Sequence, residues 1–285
     1  MAESAMRISF FQKNPIKCPV CGTEFRKEEM LSGRGRLITK NLTDELRRIY
    51  EPSKKAGEIF PLVYPVMVCP ICLYSTYNED FQTIKEEKVP MVLSQQAKRE
   101  FEIKNIFPDI DFRKQRGLYT GAASYILAIG SYSFIDKEYA PTFKKGLSSL
   151  RAAWVFDDLH KKYPHQKYDR LKIMMYKKAI GYYDRSIKFG QTGEEGIDAI
   201  KTFGPDLDKN YGYQGFLFMA SLMLFKYGDQ RDKGERIAKL QNAKRIVSRV
   251  FGSGKSSKNM PSFILDNAKD LYEKIGEQVK ELTVG

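Results

Sequence analysis

The sequence predicts a mainly α-helical protein with a small α+β module at its N-terminal end. Three observations predict it. Two C-x-x-C pairs fall within the first 72 residues, runs rich in Val, Tyr and Phe flank the second pair, and from about residue 94 onward small and apolar residues recur at three- and four-residue spacing. The expected division is 1–90 for the cysteine-bearing module and 91–285 for the helical part.

At 285 residues, 42% of them hydrophobic and with 18 Phe and 17 Tyr, the chain can bury a sizeable core. Residues 1–14 (MAESAMRISFFQKN) carry Glu3 and lack an apolar run of signal-peptide length, so no export is expected. The stretch 122–135 is too short and too broken by Ser and Gly to cross a hydrocarbon core about 30 Å thick, so no membrane span is expected and the stretch reads as a buried helix. Four cysteines gathered into two pairs suit a reducing cytoplasm better than a secreted disulfide framework. The formal charge of +13 attracts phosphate-rich or anionic partners without naming one.

Within the module, residues 60–69 read as a strand edged by Pro61 and Pro65. Residues 41–50 (NLTDELRRIY) read as a short helix with Thr43 as N-cap. Helices are then expected over 94–106, 117–134, 141–162, 166–189, 211–227, 233–251 and 261–282. Pro141 and Pro261 suit a first turn, and Gly190, Gly228 and Gly252 suit helix ends. Ala122, Ala123 and Ala128 permit close approach of a neighbouring helix, with Tyr125 and Tyr132 filling gaps. Helix pairs of this size, with alanines and tyrosines recurring at irregular period, resemble tetratricopeptide-type repeats.

The pairs are KCPVCGTEF (17–25) and VCPICLYST (68–76). Two cysteines two residues apart in a tight turn put both sulfurs on one side of the backbone, and Pro19 and Pro70 stiffen each turn. Two such knuckles supply the four ligands of a closed structural zinc site, Cys18, Cys21, Cys69 and Cys72, and make the module zinc-ribbon-like. A four-cysteine iron–sulfur site uses the same residue types and stays open. Gly22 suits the positive φ such a turn favours; Leu73 stands at the equivalent place in the second knuckle.

The order K-CPVCG-TEF, a basic GRGRLITK run, YPVMVCPIC, YNEDF and then helices bearing Ala and Tyr resembles a bacterial family known as domain of unknown function 2225. The similarity is strongest over 17–81, with Arg34, Arg36, Tyr64, Asp80 and Phe81 at matching positions and Leu73 as a departure. It implies a two-knuckle metal module, tetratricopeptide-like helices and no established activity.

Basic residues cluster at Arg34, Arg36, Lys40, Arg47, Arg48, Lys54 and Lys55. They could contact phosphates, or form a solvated loop whose arginines brace the module against carboxylates such as Asp80. Lys233, Arg236, Lys239, Lys244, Arg245 and Arg249 spread around one helix, with Lys255 and Lys258 beyond it, which favours a solvated surface. FGSGKSSK (251–258) fails the phosphate-loop pattern because Arg249 stands where glycine is required. Asp157 with Asp158, and Glu194 with Glu195, read as surface carboxylates, and His160 and His165 as surface histidines. Trp154, Tyr125, Tyr132, Tyr183 and Phe216 read mostly as core, with a concave binding groove as the alternative. No catalytic set is visible. The expectation is therefore a non-enzymatic zinc-binding scaffold whose partner is another protein, with a nucleic-acid- or ribosome-associated factor as the alternative.

Overall fold

The computed structural model describes residues 7–252 and 261–284. The front of the chain forms four two-stranded antiparallel sheets. Strand β1 (Ser9–Phe11) pairs with β4 (Glu28–Met30), β2 (Ile16–Lys17) with β3 (Glu24–Phe25), β5 (Ile38–Leu42) with β6 (Arg48–Glu51), and β7 (Val66–Val68) with β8 (Ser75–Tyr77). Strands this short cannot stand alone in water, so each hairpin depends on what covers it.

Among the described residues eight α-helices follow: α1 (Val89–Ser94), α2 (Gln96–Ile106), α3 (Leu118–Ser131), α4 (Pro141–Lys162), α5 (Tyr168–Thr192), α6 (Gly212–Tyr227), α7 (Lys233–Gly252) and α8 (Ser262–Val284). From α2 onward each packs on the next in sequence, the pattern of a helical array. Pro141 opens α4 as its first residue. Gly190 does not end its helix: α5 continues to Thr192 and closes on Gly193, whose φ of 76° is the left-handed conformation a helix stop favours.

Helix α3 is the seat on which the front module rests. It contacts β7, β8 and the turn Pro61–Val63. Strand β8 has only one strand partner, and α3 supplies what its backbone lacks. The Ser75 amide donates to the Ser131 hydroxyl at 3.1 Å, and the Tyr77 amide to the Tyr132 hydroxyl at 3.0 Å. Tyr125 returns a hydrogen bond to the Leu62 carbonyl at 2.7 Å. Ala122, Ala123 and Ala128 are fully buried here, and a single apolar core runs from the knuckles to Ile275 on α8.

The helix expected over 41–50 is instead the tip of the β5–β6 hairpin. The Leu46 amide donates to the Thr43 carbonyl and the Arg47 amide to the Thr43 hydroxyl, and Leu46 itself is left-handed at φ 59°. A ten-residue helix is marginal by itself, so tertiary contacts decide. Leu46 is wholly buried and Glu45 and Arg47 bond to the helices, contacts that only the turn allows.

Candidate metal centre

The two knuckles are built alike. In the first, the Cys18 amide donates to the Thr23 carbonyl and the Gly22 amide to the Cys18 carbonyl; in the second, Cys69 donates to Tyr74 and Leu73 to Cys69, at 2.9 to 3.0 Å throughout. Hairpins β2–β3 and β7–β8 carry these turns. Leu73 takes the same left-handed backbone as Gly22, φ 59° against 75°, and its side chain is buried. Burial of a leucine, about 1.5–3 kcal/mol, offsets the roughly 1–2 kcal/mol that the left-handed conformation costs.

The knuckles face each other. All four sulfurs lie within 4.8 Å of one another, with Cys18 to Cys72 at 3.7 Å and Cys21 to Cys69 at 3.5 Å. These separations are far beyond the roughly 2.05 Å of a disulfide bond. Four sulfurs bonded tetrahedrally to one ion at about 2.3 Å would stand about 3.8 Å apart, so the set fits a single metal ion. Backbone amides turn towards the sulfurs, those of Val20 and Cys21 at Cys18, Ile71 and Cys72 at Cys69, and Tyr74 at Cys72. Taken as thiols alone, the sulfurs cannot all ionise. Hydrogen bonds with Cys18 and Cys72 push Cys69 down to about 2, while the sulfur contact with Cys69 and burial push Cys18 up to about 12 and Cys72 is also raised. A bound cation would let four such close thiolates coexist, three of them buried.

The surrounding side chains brace the knuckles. Arg99 on α2, 7% exposed, donates from Nε and Nη2 to the Cys72 carbonyl and from Nη1 to the Val92 carbonyl. Gln96 reaches the Ile71 carbonyl at 3.2 Å, and Gln82 the Lys17 carbonyl at 3.0 Å. Phe81 packs between Phe25 and Tyr74, with ring centroids at 5.8 and 5.2 Å. Sequence reasoning missed Arg99. The available signal was a charged residue on the helix face of Ile103 and Ile106, where an apolar one belongs.

Of the seven basic candidates, Lys54 and Lys55 are exposed. Arg34 is exposed, Arg36 donates to the carbonyls of Arg7 and Gly33, and Lys40 pairs with Glu51 at 3.2 Å. Arg47 turns inward to Asp158 and to the Trp154 carbonyl at 3.2 Å. Arg48 meets Asp208 at 2.9 Å. The arginines do brace the hairpin, against Asp158 and Asp208. Asp80 instead takes Lys144 at 2.5 Å and the Tyr132 hydroxyl at 2.7 Å.

Glu45 is a second hub that the sequence did not reveal. Its carboxylate accepts from Trp154 Nε1 at 2.7 Å, Tyr176 at 2.5 Å, Tyr227 at 2.6 Å and Lys226 at 3.0 Å, donors from α4, α5 and α6. The adjacent carboxylates are not all on the surface. Asp158 is held by Arg47, and buried Glu195 accepts from the Thr142 amide and hydroxyl at the start of α4. Arg236 is likewise buried, on the carbonyls of Leu224 and Phe225 and on Gln278. His165 is exposed and His160 half-buried. Trp154, Tyr125, Tyr132, Tyr183 and Phe216 are all core residues. Lys255, Lys258 and most of FGSGKSSK lie outside the described residues. No described helix is long and apolar enough to cross a membrane.

The fold and the sulfur set define a helical-array protein with a four-cysteine module that could hold a metal ion. The chain belongs to the family described as an uncharacterised protein conserved in bacteria, domain of unknown function 2225, whose model matches residues 11–275. It is similar to an uncharacterised protein of Borreliella burgdorferi, 39% identical over 277 residues that cover 97% of this chain and 99% of that one. No solved structure matches it.

Proposed function

We propose that this protein is a non-catalytic, zinc-binding cytoplasmic scaffold whose tetratricopeptide-like helices engage another protein. The observation that carries it is the sulfur tetrad. Zinc suits it because separations of 3.5 to 4.8 Å match one four-coordinate ion. An iron–sulfur cluster would spread the four cysteines over two or four irons and hold the sulfurs on different irons wider apart. Four protein ligands complete the coordination and leave no position for a reacting water, which is the mark of a structural site. The ion would link two knuckles 48 residues or more apart in the chain, and its binding free energy, about 10 kcal/mol or more, would serve as folding energy for short strands that cannot persist alone.

The reading as a nucleic-acid- or ribosome-associated factor draws less support, because Arg47 and Arg48 are spent on internal carboxylates. Affinity capture with the intact chain tests the proposal. It calls for a defined protein partner, retained after nuclease treatment. Retention of RNA or DNA alone, with affinity falling steeply as salt rises, would reverse it in favour of phosphate contacts.

A further inference from the structure

A cavity of about 430 Å³ opens between the front module and the helical array, a volume suited to a small organic ligand. Its apolar wall comes from Met30, Pro61, Pro65, Phe143, Leu147 and Leu207. One face of α4, residues 144, 147 and 151, forms a further wall, so two cations two helical turns apart, both buried, border the same space.

Two of the three cations that line this space are ion-paired in place. Lys27 pairs with Glu29 at 2.9 Å and Lys144 with Asp80 at 2.5 Å. Glu28 accepts from the Ser9 hydroxyl and, at 2.6 Å, from the Arg116 amide. Glu79 stands exposed to water. Arg151 differs. It is 4% exposed, and no carboxylate oxygen of the described residues lies within 4.0 Å of its nitrogens. Its Nε and Nη2 donate to the carbonyls of Pro205 and Asp206, at 2.8 and 3.4 Å, and its guanidinium lies 5.3 Å from the Tyr77 ring centroid. The Asp206 carboxylate accepts from the amides of Arg48 and Leu207 and favours the Arg151 charge from beyond contact distance. Arg99 and Arg236 make similar carbonyl contacts, but neither lines this cavity.

A guanidinium that no carboxylate touches can still take an oxyanion in its fork, here beside a cavity wall that is part apolar and part polar. We propose that this cavity binds a small organic anion, a carboxylate or phosphate ester with an apolar body, whose charge is met by Arg151. The body would lie along Leu147, Phe143 and the prolines, and the head group would replace water as the partner of the guanidinium. This site is separate from the sulfur tetrad and does not depend on the scaffold reading.

Isothermal titration calorimetry of the full chain with phenyl phosphate and with phenylacetate, against benzyl alcohol as the neutral control, tests it. The proposal calls for saturable one-to-one binding of at least one anion and at least about tenfold weaker binding of the alcohol. Preference for one anion identifies the head group. Arg151→Gln also loses the carbonyl ties and can unfold the loop, so the blocking variants are Leu207→Trp, at a position 42% exposed, and Thr202→Trp, also exposed. Each should keep the native circular dichroism and weaken anion binding at least about tenfold. Equal binding of the alcohol, unchanged binding in both tryptophan variants, or no saturable heat with either anion would overturn the proposal.

Discussion

Arg99 and Cys72 are joined by two hydrogen bonds, from Nε at 3.1 Å and Nη2 at 2.8 Å to the Cys72 carbonyl, and that pair of bonds latches helix α2 to the second knuckle. The third bond, Nη1 to the Val92 carbonyl at 2.8 Å, ties α1 into the same junction. Helices α1 and α2 and the sulfur tetrad should therefore be held as one unit.

Replacing Arg99 by Gln leaves buried carbonyls without donors and removes a cation that interacts with the cysteine sulfurs. The loss should be about 1–3 kcal/mol in stability, with metal affinity about 10–100-fold weaker. Competition with a chromogenic chelator measures the second effect. Arg99→Lys keeps the charge but not the two-pronged contact, so it should recover part of the affinity. Identical metal release from Arg99→Gln and the native chain would show that the latch is irrelevant to the centre.

Glu45 gives a pH dependence of known sign. Burial pushes its carboxyl up, but hydrogen bonds from Tyr176 and Tyr227 and the Lys226 charge outweigh this, so its folded value lies below the usual carboxylate range. A depressed folded value contributes stability that is present above the unfolded value, near 4.5, and is lost as pH falls through the folded one. Glu45→Gln should therefore cost about 1.5–3 kcal/mol at neutral pH, and the difference from the native chain should shrink in acid. Urea unfolding at several pH values measures it; a gap that stays constant into acid would count against the assignment.

Gly146 on α4 faces Tyr183 on α5 so closely that an added Cβ would sit 2.4 Å from the ring. Gly146→Ala should destabilise the α4–α5 contact by about 1–3 kcal/mol. Pairing it with Tyr183→Leu, which clears the ring, should give a double-mutant coupling energy that recovers part of the loss. Additive costs in thermal unfolding would mean that the backbone moves aside instead.

Much of this molecule was legible in the sequence because its signals are local. The C-x-x-C spacing fixes a turn within five residues, and the three- and four-residue periodicity from about residue 94 onward marks the helices. The hairpin tip was not legible. The sequence NLTDELRR suits a helix on its own, and only Trp154, Tyr176 and Tyr227, more than 100 residues away, make a turn the better choice. Asp158, Glu195 and Arg236 were misread as solvated for the same reason: a charged residue looks exposed until its partner from another element is in place. Asp80 was expected to take a loop arginine, whereas Lys144 of α4 is the cation that reaches it in space.

The account stands on one ion held by Cys18, Cys21, Cys69 and Cys72. Native mass spectrometry of the purified chain, before and after chelation, tests this most directly when read beside hydrogen exchange over residues 9–77. The account calls for one zinc ion per chain and for loss of amide protection across that segment once the ion is removed. A metal-free native chain, or protection unchanged after the ion is stripped, would contradict it.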